Sequence, residues 1–353
     1  MADPTIPDSK TRGLAPRQRE VLAALVREYI QSGEPVGSST LVRSQALPHS
    51  SATVRNSMSA LEELGLLQHR HASGGRLPTD KGLRYFVDHL MPSKVLAQAV
   101  QRKISDKYPM RSRDPRKLMR NTSRMLSDFS RQCGVVLFPR AARLCLRELK
   151  FVEVGERKLL AALVMSNGLV ESRIVETDAP FEAGELDRIN NYLNSLCEGR
   201  ELSQVRARVR AELSKDKNRY QRWCWRALEL GARLVGPSSE DEVIIEGQSN
   251  LLRNPQLTDL DKLQELLRTI EEKRLVLFLL DQTIDADGVQ VFIGSEIGDE
   301  QLHQCSLVAA AYGGDTPLGT LGIIGPASLD YPRLVPLVRY AAKTLTHSLI
   351  GEE

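Results

Sequence analysis

Apolar residues recur every three to four positions through residues 14–92, which predicts a set of amphipathic helices. The first helix spans residues 14–32 and ends at Gly33, where the chain can turn at little steric cost. Pro35 cannot continue that helix, and Ser38 can cap a second, shorter one. A turn at residues 48–50 leads into a third. Three helices with a tight turn between the second and third form the helix-turn-helix plan.

The third helix carries the most informative side chains of this segment. Ser50 or Ser51 can accept hydrogen bonds from the free amides of its first turn. An apolar stripe indicates one buried face: Val54, Met58 and Leu61. The other faces carry Thr53, Arg55, Asn56 and Ser59. Arginine and asparagine form paired hydrogen bonds with guanine and adenine, although polar faces are equally typical of surface helices in ordinary α/β proteins.

A short basic hairpin follows the third helix. Residues 66–71 predict a strand, residues 72–75 a tip and residues 76–78 a return strand. Pro78 fits only a sheet edge or a strand end, which suits a two-stranded wing. Thr79 or Asp80 can cap a further amphipathic helix. The candidate DNA contacts of this wing are Arg70, His71, Ser73, Gly74 and Arg76.

Beyond residue 92, which ends the segment that we call the head, strands and long helices alternate. The predicted strands are residues 135–138, 146–154, 159–165, 169–175, 289–293, 307–312 and 318–324. The predicted helices are residues 114–132, 181–235, 257–280 and 331–349. Asn167-Gly168 is typical of a two-residue hairpin turn. A sheet that begins, is interrupted by helices and resumes indicates a domain with an insertion.

Composition narrows the class of protein. The cysteines (Cys133, Cys145, Cys197, Cys224 and Cys305) form no Cys-x-x-Cys pair, so we expect free thiols in a reducing compartment, the cytoplasm. We find no secretion signal and no apolar run long enough to cross a bilayer, and we expect no membrane partner. No catalytic constellation and no cluster with metal-ligand spacing stands out. We therefore expect neither an enzyme nor a cofactor or metal.

The net charge of +3 hides an uneven distribution along the chain. Residues 94–150 carry 15 Lys/Arg against 4 Asp/Glu, whereas residues 151–353 carry 22 against 32. Two interpretations stay open. The basic residues can attract DNA phosphates, or they can pair with the acidic C-terminal part of the same protein. The cations in question are Arg111, Arg113, Arg116, Lys117 and Arg120.

Several spaced motifs resemble the HrcA family of bacterial heat-inducible transcription repressors. In the head they are Gly33-Glu-Pro-Val-Gly-Ser38, Ser51-Ala-Thr-Val-Arg-Asn56, Leu61-Glu-Glu-Leu-Gly65 and Gly75-Arg-Leu-Pro-Thr-Asp-Lys-Gly82. In the C-terminal half they include Glu246-Gly-Gln-Ser-Asn-Leu251, Val289-Gln-Val-Phe-Ile-Gly294 and Pro317-Leu-Gly-Thr-Leu-Gly-Ile-Ile-Gly-Pro326. The motifs cover both ends of the chain in the family's order, whereas residues 1–13 resemble an added polar tail.

The resemblance implies an α+β chain in which a winged helix-turn-helix domain at residues 14–92 precedes a GAF-like α/β domain. That domain would comprise residues 93–180 and 284–353, interrupted by a mainly helical dimerisation domain at residues 181–283. Apolar stripes and the aromatic residues Tyr220, Trp223 and Trp225 in this insertion suit either a dimer interface or a buried core.

The resemblance also implies a function. A homodimer would bind an inverted-repeat operator in double-stranded DNA upstream of chaperone genes, with the chaperonin as a supporting partner. Thr53, Arg55 and Asn56 would contact bases, and Ser50 and Ser51 would contact phosphates. The alternative is a regulator gated by a small effector in the GAF-like domain, for which a sizeable apolar pocket would be the sign.

Overall fold

The computed structural model describes most of the chain, in these segments: residues 13–44, 47–69, 75–92, 94–109, 114–138, 145–165, 170–182, 184–197, 199–213, 222–235, 243–252, 264, 266–268, 270, 274–284, 286–298, 302–314 and 317–350. The head begins with the three predicted helices α1 (Pro16–Ser32), α2 (Ser38–Ser44) and α3 (Ser51–Glu63). Gly33 ends α1 in the left-handed conformation, with φ 71°. The helix-turn-helix prediction is confirmed.

The helices of the head enclose one aliphatic core, to which each contributes the predicted apolar face. Its fully buried members include Val21, Leu22, Leu25, Val26, Leu41, Val54, Met58, Leu61, Leu66, Leu83 and Phe86. Burial of each such side chain contributes about 1.5–3 kcal/mol. The spacing that predicted the helices is therefore also what holds them together.

The wing consists of β1 (Leu67–His69) and β2 (Arg76–Pro78), which pair in an antiparallel hairpin. Arg76 also pairs with Val36 in the loop between α1 and α2, and each amide donates to the other carbonyl at 2.9 Å. A Cβ on Gly75 would lie 2.6 Å from the carbonyl carbon of Val36, so the close approach requires glycine. The wing is thus seated on this loop, a contact that the sequence analysis did not predict.

Beyond the wing, the chain forms two antiparallel sheets and the helices that cover them. In chain order the described elements are α4 (Asp80–Tyr85, continued by a π-helical turn at Phe86–Leu90), α5 (Gln98–Lys107), α6 (Pro115–Ser130), β3 (Cys133–Leu137), β4 (Cys145–Gly155), β5 (Lys158–Met165), β6 (Val170–Glu176), α7 (Glu185–Cys197), β7 (Arg200–Glu201), α8 (Leu202–Leu213), α9 (Arg222–Val235), β8 (Val243–Glu246), α10 (Gln248–Leu252), α11 (Arg274–Ile284), β9 (Val289–Ile293, followed by a 3-10 turn at Gly294–Ile297), β10 (Cys305–Tyr312), β11 (Gly319–Pro326) and α12 (Tyr331–Ile350).

The five-stranded sheet has the order β8-β3-β11-β10-β9. Helices cover both of its faces, α6 and α12 on one side and α11 on the other. The three central strands, β3, β11 and β10, are therefore buried on both sides, and their sequences are mainly apolar. α6 lies so close to β3 that a Cβ on Gly134 would lie 2.2 Å from the carbonyl oxygen of Ser123. This is the α/β domain that the sequence predicts.

The four-stranded sheet has the order β6-β5-β4-β7, and it is a separate sheet. The predicted domain boundaries differ from this topology. Strands β4, β5 and β6 were assigned to the first sheet, but within the described residues they pair with one another and with β7. Conversely, β8 was assigned to the insertion, but it pairs with β3 in the five-stranded sheet. The interruption of the first sheet thus runs from β4 to α9. The sequence did not predict these limits, because the alternation of apolar and polar residues in a strand does not specify its partner strand.

Among the described elements, α7 and α9 cover one face of the four-stranded sheet. Two asparagines of α7 also complete the free edge of β4. The side chain of Asn190 accepts from the amide of Phe151 at 2.8 Å and donates to its carbonyl at 3.1 Å. Asn194 makes the same pair of bonds with Leu149, both at 2.7 Å. These side chains replace a neighbouring strand and protect the edge from further pairing.

The long helical stretch predicted at residues 181–235 is divided into α7, α8 and α9. Trp223 is half-buried and meets Tyr192 edge to face, with 5.9 Å between ring centroids. This contact favours the core interpretation for Trp223, whereas the side chains of Tyr220 and Trp225 lie outside the described part. α11 begins at Arg274, and residues 257–263 of the helix predicted there, like the turn at Asn167-Gly168, also lie outside it.

The described cysteine side chains are free and buried, as predicted: Cys133, Cys197, Cys224 and Cys305. Burial raises the pKa of the Cys133 and Cys305 thiols to about 12 and that of Cys197 to about 11. Because the thiolate is the reactive form, these groups behave as small apolar core residues.

Candidate nucleic-acid interface

The N-terminus of α3 is organised by hydroxyl groups. The Ser50 side chain accepts a hydrogen bond from the amide of Thr53 at 3.2 Å, so Ser50 is the cap that the sequence predicts. The hydroxyls of Ser50 and Thr53 are also hydrogen-bonded, 2.9 Å apart. Whichever of them donates, one hydroxyl proton of the pair remains for an outside acceptor. The end of the helix therefore offers a hydroxyl donor beside its free amides, which suits a phosphate.

Two further contacts fix α3 against the rest of the head. The hydroxyls of Ser51 and Ser38 lie 3.0 Å apart and join the first turns of α2 and α3. His49, in the turn before α3, lies 3.1 Å from a carboxylate oxygen of Glu20 on α1. Ser51 was predicted as a phosphate contact, and the structure gives it a partner within the head.

The outer face of α3 carries the side chains predicted to contact bases. Arg55 and Asn56 are exposed, and Thr53 is partly exposed. Neither Arg55 nor Asn56 has a side-chain hydrogen bond to another described residue, so both can accept a ligand without breaking an internal contact. Val54 and Met58 hold the opposite face in the core. The helix is thus fixed on one side and open on the other, as groove recognition requires.

The base of the wing is neutralised by α3. Arg76 Nε donates to Glu62 Oε2 at 3.0 Å, and its Nη2 donates to Ser59 Oγ at 2.8 Å. His69 Nε2 lies 3.4 Å from the same Glu62 oxygen. The Arg76 side chain is only 12% exposed. In this structure the Arg76 guanidinium is therefore paired within the head, and the DNA contact predicted for Arg76 stays a prediction. That prediction depended on the basic count of the wing and left out Glu62, which lies 14 residues earlier.

The other predicted wing contacts cannot be placed in the same way. Arg70, His71, Ser73 and Gly74 lie outside the described residues. The described base of the wing is in register, with His69 opposite Arg76. The contacts assigned to these residues stay predictions.

The basic segment after the head has mixed surroundings. Arg120 and Arg124 on α6 lie 3.9 Å and 3.5 Å from the same carboxylate oxygen of Glu246 on β8, while both arginines stay more than half exposed. Lys107 pairs with Asp128 at 2.6 Å. Internal pairing is therefore present, but one carboxylate shared by two exposed arginines leaves positive charge on this surface. Arg111 and Arg113 lie outside the described part.

None of the described helices combines the length and apolar character needed to cross a bilayer. Within the same part of the chain, histidine, cysteine and acidic side chains form no group of three or more that could hold a metal ion. The remaining surface chemistry of the head is the polar face of α3 and the wing beside it.

Comparison with known proteins agrees with this geometry. Residues 13–88 match the family model of the winged helix-turn-helix transcription repressor HrcA DNA-binding domain, and residues 116–335 match that of the HrcA protein C-terminal domain. The heat-inducible transcription repressor HrcA of Geobacter sulfurreducens is 38% identical over 96% of this chain and 99% of its own length. That of Xanthomonas campestris is 39% identical over 96% of each chain.

A solved structure described only as a hypothetical protein has a TM-score of 0.63 at 26% identity, and the match covers 96% of this chain and 99% of that one. The two family models match different parts of the fold. The first covers α1 to α4, which include the candidate interface, and the second contains both sheets up to the start of α12. The family consists of DNA-binding regulators, not enzymes. The chain belongs to the HrcA family of heat-inducible transcription repressors.

Proposed function

We propose that the chain represses chaperone genes by binding, as a homodimer, an inverted-repeat operator in promoter DNA. The observation that carries this proposal is the outer face of α3, where Arg55 and Asn56 are exposed and their side chains make no hydrogen bond to another described residue. Both side chains can form paired hydrogen bonds with base edges in the major groove. Repression follows when the bound protein occupies the promoter, in the cytoplasm where bacterial DNA lies.

The proposed DNA contacts are of two kinds: some recognise the base sequence, and others bind the backbone and position the protein. Thr53, Arg55 and Asn56 contact base edges, while Ser50 and the amides of the first turn of α3 bind a phosphate. Ser51 adds to that phosphate site through its backbone amide, since its hydroxyl is paired with Ser38. At the wing, Arg70, His71, Ser73 and Gly74 contact the neighbouring backbone or minor groove. Arg76 holds the wing against α3 through Glu62 and Ser59.

A dimer is supported by the face of the four-stranded sheet that the described helices leave exposed. Val152, Val154, Val170 and Ile174 are between 44% and 63% exposed there. Leu160 of β5 lies in register between Val152 and Ile174, so these three residues form an apolar row across β4, β5 and β6, while the next row on this face holds Lys150, Ala162 and Ser172. Contiguous exposed apolar surfaces of this kind mark interaction sites. Because the inverted repeat has a two-fold axis, a second copy of this chain is the partner that we assign to this face.

The affinity for DNA that a repressor needs also requires a dimer. One winged helix buries on the order of 600–1,000 Å² against DNA, which limits the strength of a single head. Two heads joined by a stable interface bind a two-fold operator with a gain of about 10²–10⁴ over one head. The edge of β4 is completed by Asn190 and Asn194, so the partner docks on the face of the sheet and not on this edge.

The decisive experiment is a gel shift with a promoter fragment that contains the inverted repeat. Arg55→Ala and Asn56→Ala should each lose preference for the operator over random DNA. Arg27→Ala, an exposed arginine on α1, is the matched control and should bind as the unsubstituted chain does. Equal operator preference in all three variants would refute the contact assignment.

Two arguments support the chaperonin as a partner: the family resemblance and the limited stability expected of a repressor domain. A loss of one or two kcal/mol is a large share of the total stability of a domain, so the active fraction of such a repressor is sensitive to folding assistance. Titration with operator DNA after mild heating measures that fraction. It should be higher when chaperonin and ATP are present, and equal fractions would remove the chaperonin from the mechanism.

Effector gating, the alternative function, receives no support from the cavity beside the five-stranded sheet. That cavity measures about 140 Å³ and is lined in part by Ser130, Gln132, Asp330 and Arg333. Effector pockets typically measure about 300–1,000 Å³ and have mostly apolar walls. This cavity is smaller and more polar than that, so it does not favour the alternative.

A further inference from the structure

A cluster of charged and polar groups joins the head to the end of β9. We call it the α4 latch; it consists of Asp80 and Arg84 on α4 and of Ser295 and Glu296 in the turn after β9. Arg84 Nε donates to Glu296 Oε1 at 2.8 Å, and Nη2 donates to Oε2 at 2.5 Å. The guanidinium also donates to the carbonyl of Val291. Such two-bond arginine–carboxylate pairs are directional as well as strong.

The second part of the latch is the pairing of Asp80 with Ser295. Asp80 Oδ2 accepts hydrogen bonds from the amide and from the hydroxyl of Ser295, both at 2.9 Å. The turn approaches so closely that a Cβ on Gly294 would lie 2.4 Å from that oxygen, and Gly294 has φ 52°. Glu296 Oε2 also accepts from the amide of Ile293 at 2.9 Å, so the turn is shaped around the carboxylate that meets Arg84. The two surfaces fit each other at several independent points.

The latch is rigidly connected to the DNA-reading helix. Leu83 and Phe86 bury the opposite face of this helical segment in the core of the head. Thr79, which caps α4, donates from Oγ1 to the carbonyl of Gly65 at 2.7 Å, directly after α3. Its amide donates to the carbonyl of Leu66 at 3.1 Å. A rotation of α4 about the latch therefore rotates α3 with it.

The charge at the centre of the latch is permanent. Burial acts to lower the pKa of Arg84, but its hydrogen bonds and its charge interactions with Glu296 and Asp88 outweigh burial and raise that pKa above its ordinary value. Asp88 lies on the same side of the contact as Arg84, four residues further along the head, at 3.2 Å. It stabilises the cation from the head's own side of the contact, which makes it a useful control.

We infer that the α4 latch sets the direction of each recognition helix relative to the dimer, and thereby selects the spacing between the two half-sites of the operator. This inference rests on the proposed dimeric binding of an inverted repeat. B-form DNA turns once in about 10–10.5 base pairs, so one added base pair rotates a half-site by roughly 35°. A head held by the latch cannot follow that rotation, whereas a head released from it can.

The test uses full-length protein and a series of inverted repeats with identical half-sites and spacers changed by one base pair at a time. The unsubstituted chain should prefer one spacer, with a loss of about 10²-fold at unsuitable spacers because only one head then engages. Arg84→Ala and Glu296→Gln should bring this ratio toward unity and leave the affinity for a single half-site unchanged. Asp88→Asn should keep the spacing preference.

A second readout needs no DNA. Spin labels at Arg27→Cys and Lys343→Cys, both exposed, report the distance between α1 of the head and α12. The distance distribution should be narrow in the parent and in Asp88→Asn and broad in Arg84→Ala and Glu296→Gln; the chain without added cysteines controls for native thiols. An unchanged spacing ratio, an unchanged distribution or a weakened single half-site each overturns the latch. If the parent binds no inverted repeat, the proposed function fails, and the distance distribution still decides whether the latch holds the head.

Discussion

The exposed face of α3 is polar and carries Arg55 and Asn56, whereas the exposed face of the four-stranded sheet is apolar and carries Val170 and Ile174, which are 59% and 63% exposed. Both faces belong to elements whose other side lies in a well-formed core. A polar face can stay in water between binding events and exchange it for a polyanion, because its groups are satisfied in both states. A contiguous apolar face is unfavourable in water and is stabilised when a partner covers it. The contrast suggests reversible DNA binding at one face and lasting protein contact at the other.

The sharpest way to break this contrast is to place charge on the apolar face. Val152→Asp together with Ile174→Asp should abolish the dimer, because two carboxylates cannot be buried there without partners. Operator affinity should fall by about 10²–10⁴-fold as the gain from a second head is lost. Light scattering measures the mass, and fluorescence anisotropy with operator DNA measures the affinity.

Val152→Thr with Ile174→Thr provides the matched control, since it retains β-branched shape without charge. A double-aspartate variant that remains dimeric would show that the second copy binds elsewhere. The single half-site should be bound equally well by all of these variants, because the head is unchanged.

At the polar face, Arg55→Ala should cost about 1–3 kcal/mol of discrimination against the wrong base, which corresponds to roughly 5–150-fold. The dimer and the binding to random DNA should persist, because the substituted side chain supports neither the fold nor the dimer face. Competition of labelled operator against random DNA measures the ratio. A loss of binding that is equal for both DNAs would instead assign Arg55 to a phosphate.

The two regions also differ in how far the sequence predicts them. The cap at Ser50 and the stripe of Val54, Met58 and Leu61 place α3 nearly to the residue, because cap, period and breaker are all local signals. Strand β9 is likewise predicted with its observed ends. Strands β4 to β6 were correctly predicted as strands but assigned to the wrong sheet. Alternation indicates which side of a strand is buried and contains no information about the strand that will pair with it.

The same limit explains why the sequence does not show the pairing of Arg76 with Glu62. Composition makes the wing basic, but the pairing of Arg76 with Glu62 depends on how the wing folds back over α3. That geometry is fixed by the bridge between Val36 and Arg76, which joins residues 40 positions apart in the chain. The only local signal for this approach is Gly75, whose significance becomes clear from the backbone of Val36 that it touches.

A glycine in the head and a glycine in the four-stranded sheet provide a matched pair of alanine substitutions. Gly75→Ala should destabilise the head by about 1–3 kcal/mol, the usual cost of overpacking, because the new Cβ would meet the backbone of Pro35 and Val36 at 2.6–2.7 Å. Gly155→Ala, at the end of β4, finds no atom within 4 Å and should leave stability nearly unchanged. Thermal unfolding followed by circular dichroism compares the two. Equal melting temperatures would mean that the wing does not need its seat on the α1–α2 loop.

The smallest expected effect separates a residue that touches DNA from one that positions a neighbour. Arg76→Ala and Glu62→Gln should each weaken operator binding only a few-fold, since both release the wing from α3 without removing a phosphate contact. Affinity measured against salt concentration is the readout. A lost phosphate contact lowers the salt slope by about 0.9, and we expect that change for Arg70→Ala at the wing tip. For Arg76→Ala and Glu62→Gln the slope should stay that of the parent. A slope lowered by about 0.9 in Arg76→Ala would mean that the guanidinium leaves Glu62 for the backbone when DNA binds, and the head would then gain on DNA the free charge that it conceals in this structure.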